Sequence, residues 1–109
     1  MYERSRKITD FHIRGFQHWD GALKIEGMKV GMKVDLIAEP DNPHDPSAMA
    51  IYFDKVKLGY MPAESNELYA TLAYFGHSAI FEARILQVNP ELDPWKQVRV
   101  GIYVVDARV

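Results

Sequence analysis

The chain has no cysteine. That excludes disulfide staples, thiolate nucleophiles and cysteine-ligated zinc or iron–sulfur centres. No apolar run approaches the roughly 20 residues of a membrane helix, and the opening Met1-Tyr2-Glu3-Arg4-Ser5-Arg6-Lys7 lacks the long apolar stretch of a secretory signal. A soluble, cytoplasmic protein is the expectation. Phosphate loops are missing: neither Gly-x-Gly-x-x-Gly nor the P-loop pattern occurs. Ser5, Ser47, Ser65 and Ser78 lie in no nucleophile motif, since Gly-x-Ser-x-Gly is absent. A strong basic surplus is missing too. The net charge is −2, whereas proteins that wrap duplex DNA through many phosphates carry a large positive excess.

What is present is an ordinary globular composition, 48% hydrophobic and 26% charged in 109 residues, consistent with one domain over 1–109 and a single modest core. The charge is uneven. Residues 1–33 carry seven bases and four acids, residues 34–83 two bases and eight acids, and residues 84–109 four bases and three acids.

Turn residues divide the chain into short pieces. Ile8 to Phe16 reads as a strand that Gly15 bends or ends, and Gln17 to Ala22 as a loop. Residues 27–34 repeat Gly-Met-Lys-Val twice, too little for a solenoid; a turn leading into a strand over Lys33 to Ala38 is simpler. Glu39 to Ser47 holds three prolines, Pro40, Pro43 and Pro46, which cannot donate to a sheet ladder, so an ordered loop is expected. Ala48–Phe53 and Val56–Met61 suggest a hairpin about Asp54-Lys55, a weaker turn than Asn-Gly. Ser65 is placed to cap a helix over Asn66 to Phe75, with Gly76 as its stop. Leu68, Leu72 and Phe75 share its apolar face. Ala79–Val88 and Gln97–Val105 are two further strands around a turn-rich loop. The expectation is a mainly β domain, a small OB-like β-barrel of about six strands with one or two helices.

Three stretches carry the chemistry. In the proline-rich loop, Asn42 and Asp45 have the side chains that stabilise turns by accepting backbone N–H groups. Glu39, Asp41, His44 and Asp45 offer an alternative metal-dependent hydrolase reading, but no calcium-loop or His-Glu-x-x-His spacing supports it. Gly15-Phe16-Gln17-His18-Trp19-Asp20-Gly21 presents two flat rings between glycines: either a stacking platform for unpaired bases, or a loop whose Trp19 closes the core while His18 faces solvent. In Leu58-Gly59-Tyr60-Met61-Pro62, Tyr60 either aims its hydroxyl into a site or is a strand aromatic with a wet tip. Tyr69 and Tyr74 read as surface or core-edge residues, and Trp95 as packing near the last hairpin.

Together, Gly15-Phe16-x-x-Trp19-x-Gly21, Glu39-Pro40-x-Asn42-Pro43-x-Asp45-Pro46-x-Ala48-x-Ala50-Ile51 and Gly59-Tyr60-Met61-Pro62 before a helix resemble the HIRAN domain, over about Thr9 to Val105. That family occurs in DNA translocases that remodel stalled forks and as short stand-alone bacterial proteins. The resemblance implies a compact barrel related to the OB fold. It also implies a non-enzymatic, cofactor-free module that recognises the 3′ end of single-stranded DNA, in the company of DNA-repair or helicase proteins. By position it places Gln17, His18 and Trp19 in the first loop of the pocket, Glu39 at its carboxylate and Tyr60 at a polar aromatic. Ala63 stands where the family has a lysine.

On that basis a terminal 3′-hydroxyl would donate to Glu39, a charge-assisted bond, and a continuing strand would bring a phosphodiester that Glu39 repels. The last base would stack on His18 or Trp19, with Gln17, Arg14 and Lys24 near the first phosphates. So few cations imply weak binding with a shallow salt dependence. The competing expectation is a protein-interaction or structural domain that has lost DNA binding.

Overall fold

The structure, a computed structural model, describes residues 4–109. Six strands and one α-helix follow in order: β1 Ser5–His12, β2 Lys33–Ala38, β3 Met49–Phe53, β4 Val56–Tyr60, α1 Glu67–Tyr74, β5 Phe81–Val88 and β6 Val98–Val105. All pairings are antiparallel, in the order β1-β6-β5-β2-β3-β4. The fold is mainly β, as the segment pattern implies. Inward residues such as Phe11, Val34, Ile51, Ile85, Val100 and Ile102 fill one core, which follows from the two-residue alternation of strands with one buried face.

The sheet curls without closing along its length. Its edges, β1 and β4, meet through one bridge between Arg14, just beyond β1, and Tyr60. Its two hydrogen bonds, Arg14 N–H to Tyr60 O and Tyr60 N–H to Arg14 O, are 2.8 and 2.9 Å long. Gly59 makes that approach possible. A Cβ there would lie 2.4 Å from the Arg14 carbonyl oxygen and 2.7 Å from the Ile13 side chain, and its φ is +145°. After Arg14 the chain turns at Gly15, φ 74°, into the 3₁₀ turn Phe16–His18. β1 therefore ends at His12, short of the Phe16 suggested by the apolar pattern. Phe16 plugs the core from this turn, packed so closely on Gly21 that a Cβ would meet its ring at 2.4 Å.

β2 runs over the expected residues, and the β3–β4 hairpin turns at Asp54 and Lys55, with φ of 48° and 67°. Both left-handed residues fit a two-residue turn whose twist matches the strands.

The helix differs in the face it buries. Leu68 and Phe75 are 62% and 70% exposed, and Leu72 is half-buried. Asn66, Tyr69 and Ala70 are buried instead, with Ala73 packed against the core. These positions follow the i, i+3, i+4, i+7 spacing of one helix face. The polar head of that face decides the rotation: the Asn66 amide, 2% exposed, donates to Asp45 Oδ2 at 3.0 Å. Tyr69 sits edge-on to Phe81 with centroids 4.9 Å apart, and burial pushes its hydroxyl pKa up. Asn66 occupies the cap position and no side chain caps the helix; the Ser65 hydroxyl lies 3.5 Å from the Pro62 carbonyl instead. At the other end Gly76, φ +90°, ends the helix as expected, with Gly76 N–H bonded to Ala73 O and His77 N–H to Leu72 O.

Two stability outcomes follow. Gly59→Ala is expected to cost about 2–4 kcal/mol, read as a lower urea midpoint, and to strip the Tyr60 amide of its hydrogen-exchange protection. An unchanged midpoint would show that the bridge does not need the close approach. Lys55→Gly should raise Tm. A left-handed lysine costs about 1–2 kcal/mol and the unfolded-state freedom of glycine takes back about 0.5–1 kcal/mol, so a small net gain remains.

Candidate functional site

The loop between β2 and β3 is built by its own side chains. Asn42 Oδ1 accepts from the backbone N–H of His44 at 2.9 Å and of Asp45 at 3.2 Å. Asp45 Oδ1 accepts from Ser47 N–H at 2.8 Å, and its other oxygen holds Asn66. These are turns closed by Asn and Asp side chains, anchored to the helix at one end. At the other, Glu39 N–H bonds Ala48 O across the loop's neck.

With its backbone fixed, the loop presents Glu39 to β4. Glu39 Oε1 accepts from the Tyr60 hydroxyl at 2.8 Å and from the Asn42 amide at 3.0 Å, while Oε2 accepts from Lys57 Nζ at 2.7 Å. Lys57 also donates to the Tyr60 oxygen at 2.6 Å. Its ammonium stands 4.1 Å from the Trp19 ring centroid, a cation–π contact, and at the hydroxyl edge of Tyr60, 4.5 Å from that ring's centroid. The rings meet edge to face, centroids 6.1 Å apart. Burial alone would push the Glu39 carboxyl up, but the hydrogen bonds from Lys57, Asn42 and Tyr60 outweigh it, and its pKa lies below the ordinary value. Burial likewise works against the Lys57 ammonium, yet Glu39 and Tyr60 hold its pKa above the ordinary value. Both groups therefore stay charged at neutral pH.

This cluster forms part of the wall of a cleft of about 930 Å³ whose lining includes Trp19, Glu39, Pro40, Asn42, Tyr60 and Asn66. Of the residues proposed from sequence, Trp19, Glu39 and Tyr60 come together here. Arg14 stands in the same wall, its guanidinium 2.6 Å from Glu64. Gln17 and His18 are exposed on the adjoining 3₁₀ turn and do not line the cleft. Lys24 lies away from it, 3.2 Å from Asp54 at the tip of the β3–β4 hairpin. Asp41 and His44 line the cleft as exposed residues. Among the described residues no three His, Asp or Glu side chains are grouped to hold a metal ion. Trp95, in the 3₁₀ turn Pro94–Lys96 between β5 and β6, is 52% exposed.

Sequence reasoning missed Lys57. Strand alternation puts residues 57 and 60 on opposite faces. The ladder instead pairs Ile51 with Gly59 and Tyr52 with Lys57, which leaves Leu58 as an extra residue. That bulge returns Lys57 to the side of Tyr60. Asn66 was legible only through its helical spacing to Tyr69, Ala70 and Ala73.

Two solved structures share the fold. One is a protein from Lactobacillus plantarum, with TM-score 0.75 and 23% identity, matched over 94% of this chain and 96% of that one. The other is the HIRAN domain of human HLTF, with TM-score 0.62 and 14% identity, over 94% of this chain and 81% of that one. No curated protein matches the chain in sequence. The HIRAN domain family model matches residues 7–105, nearly the full length of the sequence, and the chain therefore belongs to the HIRAN domain family.

Proposed function

We propose that the cleft binds single-stranded DNA at its 3′-hydroxyl end, as a non-catalytic module acting beside DNA-repair or helicase proteins. The observation that carries this reading is the meeting of Trp19, Tyr60 and Glu39 in one wall, with Lys57 bonded to Glu39 and Tyr60 behind it. Trp19 is 41% exposed and offers ring surface to a terminal base; such stacking is worth about 1–3 kcal/mol. Glu39 Oε2 takes one hydrogen bond, from Lys57, and a carboxylate oxygen has room for a second. A terminal hydroxyl donates there.

Lys57 alters the balance expected from sequence. Bonded to Glu39 and Tyr60 rather than lining the cleft, it offsets the Glu39 charge. Repulsion of a continuing phosphodiester is thus weaker than a bare carboxylate would give, and the proline-walled loop must supply the rest of the discrimination by shape. Arg14 can exchange Glu64 for a phosphate at little cost, because a pair this exposed is worth under about 1 kcal/mol.

A second reading, a protein-interaction domain, draws on α1, where Leu68 and Phe75 share a face and stay exposed. Recovery of a specific partner after nuclease treatment would favour it.

Fluorescence polarisation with short oligonucleotides tests the first reading. A 3′-hydroxyl end should bind better than a 3′-phosphate end, Glu39→Ala should erase the difference, and Trp19→Ala should weaken binding by about 1–3 kcal/mol. Equal affinity for both ends, or none for either, overturns it. The ion pair makes a separate pH prediction. The lowered Glu39 pKa stabilises the fold above the ordinary carboxylate range, and this is lost as pH falls through the folded value. The raised Lys57 pKa stabilises below the ordinary ammonium range, and this is lost as pH rises through its folded value. Lys57→Met should cost about 1–3 kcal/mol at pH 7 by stranding the carboxylate, and the cost should shrink in acid once Glu39 is protonated. Urea titrations at both pH values measure it.

A further inference from the structure

We infer that the outer face of β1, β6 and β5 is a second binding surface, shaped for the phosphate backbone of duplex DNA. Residues opposite one another on neighbouring strands point to the same face, and three such rows cross this part of the sheet. They are Lys7–Tyr103–Glu82, Asp10–Gly101–Arg84 and His12–Arg99–Gln87. Lys33 on β2 extends the middle row beside Arg84. The opposite face of these strands is the core, with Phe11, Ile85, Val100 and Ile102.

The charges on this face do not cancel. Asp10 is shared by Lys7, at 2.7 Å, and Arg99. Glu82 is shared by Lys33, at 2.9 Å, and Arg84. Each carboxylate thus serves two cations; Asp35, exposed on the same side of β2 as Lys33, offsets one of them, and the face keeps an excess of one positive charge. His12 lies against the same cations, its Nδ1 3.3 Å from Arg99, and burial, more than their charge, lowers its pKa. The fold brings this about by pairing β6 with β1 on one side and β5 on the other, which joins the two basic ends of the sequence, while the acidic middle third forms the cleft side.

Shape selects the ligand. From β1 to β2 the cations span three strand spacings, about 14 Å, more than the roughly 12 Å width of a major groove, so Lys7 and Lys33 can reach phosphates of two strands. An unpaired strand would need open rings to stack on. Of the two rings in these rows, Tyr103 is covered by the Arg84 guanidinium at 4.3 Å and His12 is half-buried against Arg99, its Nδ1 3.3 Å from the guanidinium. The face adjoins the cleft through a groove lined by Asp10, His12 and Lys96 that shares Arg14 and Glu64 with it. It needs no DNA end, so it stands or falls apart from the end-binding reading.

A closed DNA dumbbell, a duplex capped by loops and lacking any terminus, separates the two. Lys7 and Lys33 side chains are 46% and 72% exposed, so Lys7→Gln/Lys33→Gln is expected to fold, with Lys7→Arg/Lys33→Arg as the charge-preserving control. The wild type should bind the dumbbell, with log affinity falling linearly with log salt. The glutamine variant should lower the slope by about 2, one per lost phosphate contact, and leave a four-nucleotide single strand unaffected. The arginine variant should retain the slope. Trp19→Ala should weaken the single strand and spare the dumbbell. No dumbbell binding, an unchanged slope in the glutamine variant, equal loss in Trp19→Ala, or equal competition by polyglutamate would each overturn the inference.

Discussion

A carbonyl oxygen lies 2.4 Å from the point where any residue but glycine would carry a carbon at position 59. That approach lets the chain beyond β1 bridge to the end of β4 at Arg14 and Tyr60. The bridge holds the two edges of the curled sheet together and seats the Phe16–Leu23 turns against β4. It thereby puts Trp19 next to Tyr60 and the end of β4 next to Glu39. Without it, the cleft would lose one wall and the sheet two satisfied backbone pairs, groups that are costly to leave buried and unbonded.

The cleft's electrostatics follow from the same placement. A carboxylate this enclosed is stable only if its oxygens are bonded, and Glu39 finds Tyr60, Asn42 and Lys57. The ammonium is in turn held over the Trp19 ring and bonded to the Tyr60 hydroxyl. The result is a ring-lined wall in which the Glu39 charge is paired, unlike the bare acid implied by the sequence, while Asp41, Asp45 and Glu64 keep the cleft acidic. Positive charge in excess of its partners lies round the sheet, where β1, β5 and β6 gather the basic termini.

The proline-rich loop is rigid because its side chains replace the sheet ladder that its prolines cannot join. Asp45 then does a second task by accepting the Asn66 amide, which sets the rotation of α1. This explains why apolar periodicity picked the wrong face. Leu68 and Phe75 have the right spacing, but the buried amide with its fixed partner turns them outward, where both stay exposed and Phe75 meets the edge of the Tyr74 ring.

The sequence by itself determined the mainly β architecture, the span of β2, the β3–β4 hairpin and the glycine stop of the helix, because each rests on local turn chemistry or a short apolar period; Trp19, Glu39 and Tyr60 were drawn together by the family resemblance, not by local pattern. Tertiary structure alone decided the end of β1, the face of α1, the arrival of Lys57 and the removal of Lys24 from the site. Each of those depends on contacts between segments far apart in the chain: a close approach at Gly59, an amide bonded across 21 positions, and a bulge that reverses the alternation of β4. Local pattern fixes which way a residue points relative to its neighbours. Only packing fixes what it points at.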